Sequence, residues 1–278
     1  MKAGLQQIPI QGAAPRLAGN REWDGLPMPT RFWAILAVAF GVSLSVIDVA
    51  LPTMARMLGI SSANSIWIVN AYQLAIVVSL LSFSALGDVI GYRKIYIGGL
   101  GIFIVASLGC TLSDSLATLV TARVCQGFGA AAITSVNTTL IRLIYPRRHL
   151  GRGMGVNATV VAVSSVAGPT LASGILSIAT WPWLFAINIP IGLIACLLSY
   201  RFLPKNPVRI RGRHFDWRDG LMNALTFGLL IASIEGYSHG LKPSYIGISV
   251  ILLVLIGTLF VRSQLHKPYP ILPFDLLR

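Results

Sequence analysis

A chain of 278 residues that is 55% hydrophobic and only 11% charged cannot cover itself with polar side chains. Soluble domains carry about 25% charged residues, so lipid is the expected outer solvent. The formal net charge of +13 would suit nucleic acid or an acidic surface, but the placement of the basic residues assigns it to membrane topology, and no nucleic-acid partner is expected. Cys110, Cys125 and Cys196 lie in or beside apolar stretches at spacings that fit neither a metal motif nor a disulfide framework. No metal is expected, and the three read as small packing residues.

Residues 1–30 are polar, with scattered Pro, Gly and Arg and no apolar core before a small-residue cleavage site. They read as a mobile cytoplasmic N-terminus rather than a cleaved signal peptide. A helix needs about 20 apolar residues to cross the hydrocarbon. Eight candidates follow, at roughly 32–51, 66–87, 95–112, 117–141, 153–177, 183–203, 220–238 and 244–262. The breakers Pro52, Gly91, Pro146, Trp181-Pro182, Pro204 and Pro207 separate them. The organisation is a six-helix bundle over 31–203, a basic cytoplasmic loop at 204–219, two further transmembrane helices over 220–262, and a last segment at 263–278. The fold class is all-α and polytopic.

With the N-terminus placed inside, 19 of the 22 Lys and Arg residues fall in cytoplasmic segments. Only Arg56 and Lys242 fall outside, and Arg123 lies within a span. Insertion keeps Lys/Arg-rich short loops in the cytoplasm, so eight spans with both ends of this chain cytoplasmic is the expected topology. The basic loop could also meet anionic lipid.

Charges inside a bilayer are costly and so mark candidate functional sites. Arg123 is the clearest, in Leu119-Val-Thr-Ala-Arg123-Val-Cys-Gln126-Gly127-Phe-Gly129-Ala-Ala131. Arg123, Gln126 and Gly127 share one helix face, and Gly127 with Ala131 forms a small-xxx-small face for close packing. The bland alternative is an Arg that snorkels to the interface. Asp48, late in the first span, either faces a cavity, where it can load and release a proton, or caps the helix. Glu235, late in the seventh span, reads as interfacial. Asp88, in Gly87-Asp88-Val-Ile-Gly91-Tyr-Arg93-Lys94, sits where a helix end disfavours an anion. It therefore needs a partner such as Arg93, Arg142 or another helix's N-terminus, while Gly91 permits the tight turn. Gly168-Pro169 predicts a kink in the fifth span, flanked by small residues. Trp67, Asn70, Tyr72, Gln73, Asn157 and Asn188, with Gln126, are candidates for lining a cavity, and each also suits an interface or a packing seam. No span holds H-E-x-x-H or G-x-S-x-G, and none of the four histidines lies deep in a span, which argues against an intramembrane enzyme.

Taken together these motifs resemble one family. Asp88, Gly91, Arg93 and Lys94 are similar to the major facilitator signature G-x-L-a-D-r-x-G-r-k, with Ser84 at its first Gly. Arg123, Gln126, Gly127 and Gly129 resemble R-x-x-q-G-x-g-a-a. Gly168 and Pro169 resemble the antiporter motif g-x-x-x-G-P-x-l-G-G, with Ser164 and Ala172-Ser173 at glycine positions. Trp181-Pro-Trp183-Leu-Phe-Ala-Ile-Asn188-Ile-Pro190-Ile-Gly192 is similar to a stretch of the 14-helix drug:proton antiporters, with Pro182 where Arg is usual. In the first span, Ser43 stands at the family's Asp and Asp48 at its Asn.

The resemblance implies the N-terminal half of a major facilitator fold plus two linker helices. It implies a proton-coupled multidrug efflux transporter of amphipathic or cationic compounds in a bacterial cytoplasmic (inner) membrane. Such a transporter runs on the proton gradient and needs no cofactor. It further implies a proton-coupling role for Arg123, a cytoplasmic gate at Asp88, and an outer seal at Gly168-Pro169, while Asp48 is a proton-coupling candidate as a carboxyl within a span. Because the second half is not within the 278 residues, the chain is expected to be a truncated form with a missing C-terminal half as partner. The alternative is a non-transporting membrane remnant, or a half-transporter that needs a partner chain.

Overall fold

The computed structural model describes residues 25–42, 55, 59, 61–204, 216–238 and 243–265. Among them are nine α-helices, one 3-10 turn and no strand. The helices are α1 (Met28–Val42), α2 (Ser62–Ile90), α3 (Tyr92–Thr111), α4 (Leu116–Ile144), α5 (Leu150–Ile178), α6 (Trp183–Ala186), α7 (Asn188–Phe202), α8 (Trp217–Ser238) and α9 (Pro243–Leu265). Short α6 and α7 together occupy the expected sixth span. An all-helical chain is what lipid demands, because no water is available there for unpaired backbone groups.

Local chemistry sets the helix ends. Ser61 caps α2, its hydroxyl accepting from the Asn64 N–H at 3.2 Å. Ser115 and Thr118 form a reciprocal capping box at the start of α4. Gly91 ends α2 and begins α3 at φ 111°, a region open to glycine and strained for other residues. Its N–H bonds the Gly87 carbonyl at 2.9 Å.

Six helical stretches among the described residues are long and apolar enough to cross a membrane: Asn64–Ile90, Tyr92–Thr111, Leu116–Ile144, Arg147–Ile178, Trp183–Phe202 and Pro243–Leu265. Met28–Gly41 is a shorter apolar helix, and the remainder of the expected first span lies outside the described residues. The expected seventh span forms helix α8, of 22 residues, but it is not among the six. Arg218, Asp219 and Glu235 dilute its apolar run.

The centre of the bundle is α4, packed on α2 and α3. Tyr96, Leu100 and Phe103 of α3 meet Ile133, Val136, Leu140 and Ile141 of α4, all at most 2% exposed. Ala34 and Val38 of α1, Tyr72 of α2 and Ala195 of α7 also join this cluster. Small residues let the backbones approach, as lipid-embedded helices require. A Cβ at Gly129 would lie 2.7 Å from the Phe103 nitrogen, and one at Gly127 would lie 2.6 Å from the Tyr72 carbonyl oxygen. A second cluster joins Ile68, Cys110, Leu119, Ala172, Trp181, Leu184 and Phe185. By contrast, α5 buries only Gly153, Gly168 and Ala172 along its whole length. The pair α8–α9 packs together, and α8 lies along α2.

Candidate functional site

Arg123 projects from the second turn of α4 into the seam between α2, α3 and α6. It is 3% exposed. The snorkelling alternative therefore fails: the side chain turns inward, because the bundle offers it acceptors. Its Nε donates to the Ile68 carbonyl of α2 at 3.0 Å, and its Nη1 donates to Gln126 Oε1 at 2.6 Å. The guanidinium carbon stands 4.0 Å from the centre of the Tyr72 ring and 5.9 Å from that of Phe185. An arginine stays charged in any such setting, and a ring face within about 6 Å attracts it.

A second layer fixes the first. Gln126 is fully buried and gives its amide to Ser107 Oγ at 2.8 Å. Ser107 in turn donates to the Phe103 carbonyl at 2.7 Å. The Cys110 thiol reaches Gln126 Oε1 at 3.9 Å. The result is a chain of hydrogen bonds from the backbone of α3 through α4 to the backbone of α2. Carbonyls and ring faces hold this cation in a fixed place. Such a group can attract a carboxylate or respond when one nearby gains a proton. Asp48, the other proton-coupling candidate, lies outside the described residues.

Of the residues expected to line a cavity, Tyr72 and Gln126 belong to the arginine cage. Asn188 of α7 is 3% exposed, and its Nδ2 has no hydrogen-bond partner among the described residues. Asn157 of α5 accepts from Asn137 of α4 at 3.0 Å. The cleft beside Asn157, lined also by Ile35, Val38, Ala39, Ile141, Val156 and Val160, holds about 10 Å³. That is room for about one water, too little for an organic substrate. Gln73 and Trp67 are exposed. Asn70 turns away from the arginine cage and donates to Glu235 of α8. Glu235 was expected at the interface but is half-buried in this contact.

At the turn between α2 and α3, Tyr92 donates its hydroxyl to Asp88 Oδ1 at 2.5 Å. Arg93, named from the sequence as a partner for Asp88, instead donates to the Tyr200 carbonyl and lies 5.6 Å from the Tyr200 ring centre. The reason is geometric. Tyr92 follows Gly91 directly and lies over Gly87, where an added Cβ would come within 2.9 Å of its ring, whereas Arg93 is directed toward the end of α7. Lys94 is exposed. In α5 the helix runs through Pro169 without interruption. Gly168 is buried and Pro169 exposed.

Sequence reasoning missed Phe185, Ser107, Tyr92 and the Ile68 carbonyl. Nothing in the local pattern marks Ser107 or Ile68, since each becomes an acceptor only when a neighbouring helix docks. Tyr92 could have been found, because a phenol four residues after a carboxyl can reach it across the turn.

Comparison with known proteins matches the geometry. A profile of the Major Facilitator Superfamily matches residues 33–270. The chain is 57% identical over 260 residues to an uncharacterized transporter, YebQ, of Escherichia coli, covering 92% of this chain and 57% of that one. It is 30% identical over 250 residues to the riboflavin transporter RibZ of Clostridioides difficile, covering 87% and 54%. It is 30% identical over 259 residues to the putative multidrug resistance protein MdtD of Citrobacter koseri, covering 91% and 54%. The chain thus spans about half the length of the curated relatives it matches. Among solved structures, the human organic anion transporter MFSD10 shares the fold, with a TM-score of 0.52 at 16% identity, over 73% of this chain and 53% of that one.

Proposed function

The chain belongs to the Major Facilitator Superfamily, and from that premise we propose that it forms the first six-helix unit and linker helices of a proton-coupled exporter of amphipathic, often cationic compounds. The carrying observation is the buried Arg123, fixed by Gln126, Ile68 and the Tyr72 ring. A cation held in the hydrocarbon region is costly, and structural packing alone would be served by an apolar residue. Similarity to a putative multidrug resistance protein supports a drug-like cargo. The work is done in a bacterial inner membrane, with the basic loops on the cytoplasmic side, and the proton gradient is the energy source. Asp88, Gly91, Arg93 and Lys94 form the cytoplasmic gate in this reading. Gly168 and Pro169 form the outer seal, and Asp48 is the carboxyl that exchanges protons in concert with Arg123.

The test is transport of a cationic dye into everted vesicles holding the protein that carries this chain, the direction that corresponds to efflux from the cell, with and without a proton gradient. Arg123→Ala should lower gradient-dependent efflux to the level of empty vesicles while leaving the amount of inserted protein unchanged. Full efflux in that variant would overturn the coupling role.

One observation favours a second reading for the 278 residues acting alone. Alternating access rocks one helical unit against another around a central site. Here α5 buries almost nothing, as fits a unit that needs a second one. Reconstituted efflux by the 278 residues alone would refute that reading.

A further inference from the structure

Helix α8 meets α2 at three polar contacts, of the kind that join helices in lipid. Near one end, Asn70 Nδ2 donates to Glu235 Oε1. Twelve residues earlier in α8, the fully buried Asn223 donates to the Val78 carbonyl at 3.2 Å. At the other end, Ser82 Oγ donates to the Gly220 carbonyl at 3.5 Å. From Asn70 to Ser82 these contacts cover about 18 Å of helix at about 1.5 Å per residue. Between them, a Cβ added at Gly228 would make ordinary van der Waals contact with the Val78 side chain at 3.7 Å, so the two positions are neighbours across the seam. The second linker helix is tied to the first by Ser263, which donates to Asp219 at 3.4 Å. The contact at Glu235 is the only one of the three bonds to α2 in which two side chains meet and one is a carboxyl.

We propose that Glu235 is a positioning residue that, through Asn70, fixes the α8–α9 pair on α2, so that the pair moves with the first six-helix unit as one body. A side-chain oxygen at this position keeps the Asn70 amide paired across the helix seam, and hydrocarbon offers no water to take its place. A carboxyl in this place therefore has a structural use that needs no proton transfer. The opposite arrangement, a linker free to slide along α2, would break all three contacts at once. In the transport cycle, α8–α9 then acts as a strut on α2 rather than as a slack tether. The carboxyl of Glu235 faces Asn70 on α2, and the described charged groups of α2 and α9, Asp88 and Arg262, sit at the far ends of their helices.

This inference rests on the transport reading for its functional half only. The experiment joins a disulfide pair, Val78→Cys with Gly228→Cys, to Glu235→Ala and Glu235→Gln in the protein carrying this chain. The first readout needs no transport: oxidative cross-linking in membranes should be rapid with Glu235 or Gln at 235 and at least ~5-fold slower with Ala. The second is dye efflux. Locking the pair in the otherwise native protein should leave the efflux rate unchanged. Glu235→Ala should lower the maximal rate several-fold at unchanged half-saturation, the disulfide should restore it, and Glu235→Gln should stay near the native rate. Loss of efflux on locking would show that α8 must move against α2 and would overturn the proposal. An inactive Glu235→Gln, or an Ala variant that the disulfide does not rescue, would assign the carboxyl to proton handling and overturn it too. If the native protein exports nothing, the transport reading fails, and the cross-linking rates alone decide the latch.

Discussion

Gly127 shows how much one missing side chain decides. A Cβ there would meet the Tyr72 carbonyl oxygen at 2.6 Å and the Ala75 methyl at 2.7 Å. Both belong to α2, and backbone cannot step aside as a flexible side chain can. Gly127 also lies one turn from Arg123, so pushing α2 away would move the Ile68 carbonyl and the Tyr72 ring off the guanidinium. Gly127→Val should therefore lower the thermal unfolding temperature of the purified protein by several degrees, consistent with the roughly 1–3 kcal/mol typical of an overpacked core. It should also abolish proton-dependent efflux. A variant that keeps its unfolding temperature would show that the two helices can separate at no cost. The sequence marked Gly127, Arg123 and Gln126 as one face, since three- and four-residue spacing alone places them together. It did not mark Ile68 as the acceptor, because a backbone carbonyl carries no sequence signal.

Individual helices were legible from their apolar length and the breakers between them, whereas the caps emerged only in the structure. The Ser115–Thr118 box starts α4, and its loss should cost about 1 kcal/mol, the usual value for an N-cap truncated to alanine. Ser115→Ala should thus lower the unfolding temperature slightly, with efflux intact, because the cap faces away from the arginine cage. A complete loss of function in Ser115→Ala would contradict that separation. The turn of α2 into α3 was legible from the breaker Gly91: its φ of 111° belongs to a region that residues with a Cβ rarely adopt. The Asp88 partner was not legible. Tyr92 and Arg93 are adjacent in sequence, and the direction each takes depends on where α7 ends.

On the scale of the molecule, the bundle is uneven. The cores between α2, α3, α4 and α7 are closed, whereas α5 presents Val163 and Val166 outward at 59% and 77% exposure. Ala172, on the same helix, is fully buried against the Trp181–Phe185 turn. In the purified 278-residue chain, a cysteine placed by Val166→Cys should react with an apolar maleimide at least ~10-fold faster than one placed by Ala172→Cys, with Cys125, which is exposed, as the internal reference. Equal protection of both would mean that the outer face of α5 is covered. The α8–α9 pair falls at this scale too. Composition predicted two further spans; α9 is long and apolar enough to cross a membrane, while α8 places Glu235 against α2 and Asp219 against Ser263 of α9.

By itself the sequence determined the lipid environment, the all-helical class, the placement of most helices and the face that carries Arg123. Apolar length, breaker residues and helical spacing are properties of a local stretch of chain, and hydrocarbon admits few alternatives to the helix. Only the tertiary structure decided where the polar side chains point. Arg123 turns inward to Ile68 and Tyr72, Arg93 reaches Tyr200, and Asn70 leaves the expected cavity for Glu235. Each of these outcomes follows from which acceptor a neighbouring helix brings within about 3 Å, and no single stretch of sequence contains both partners.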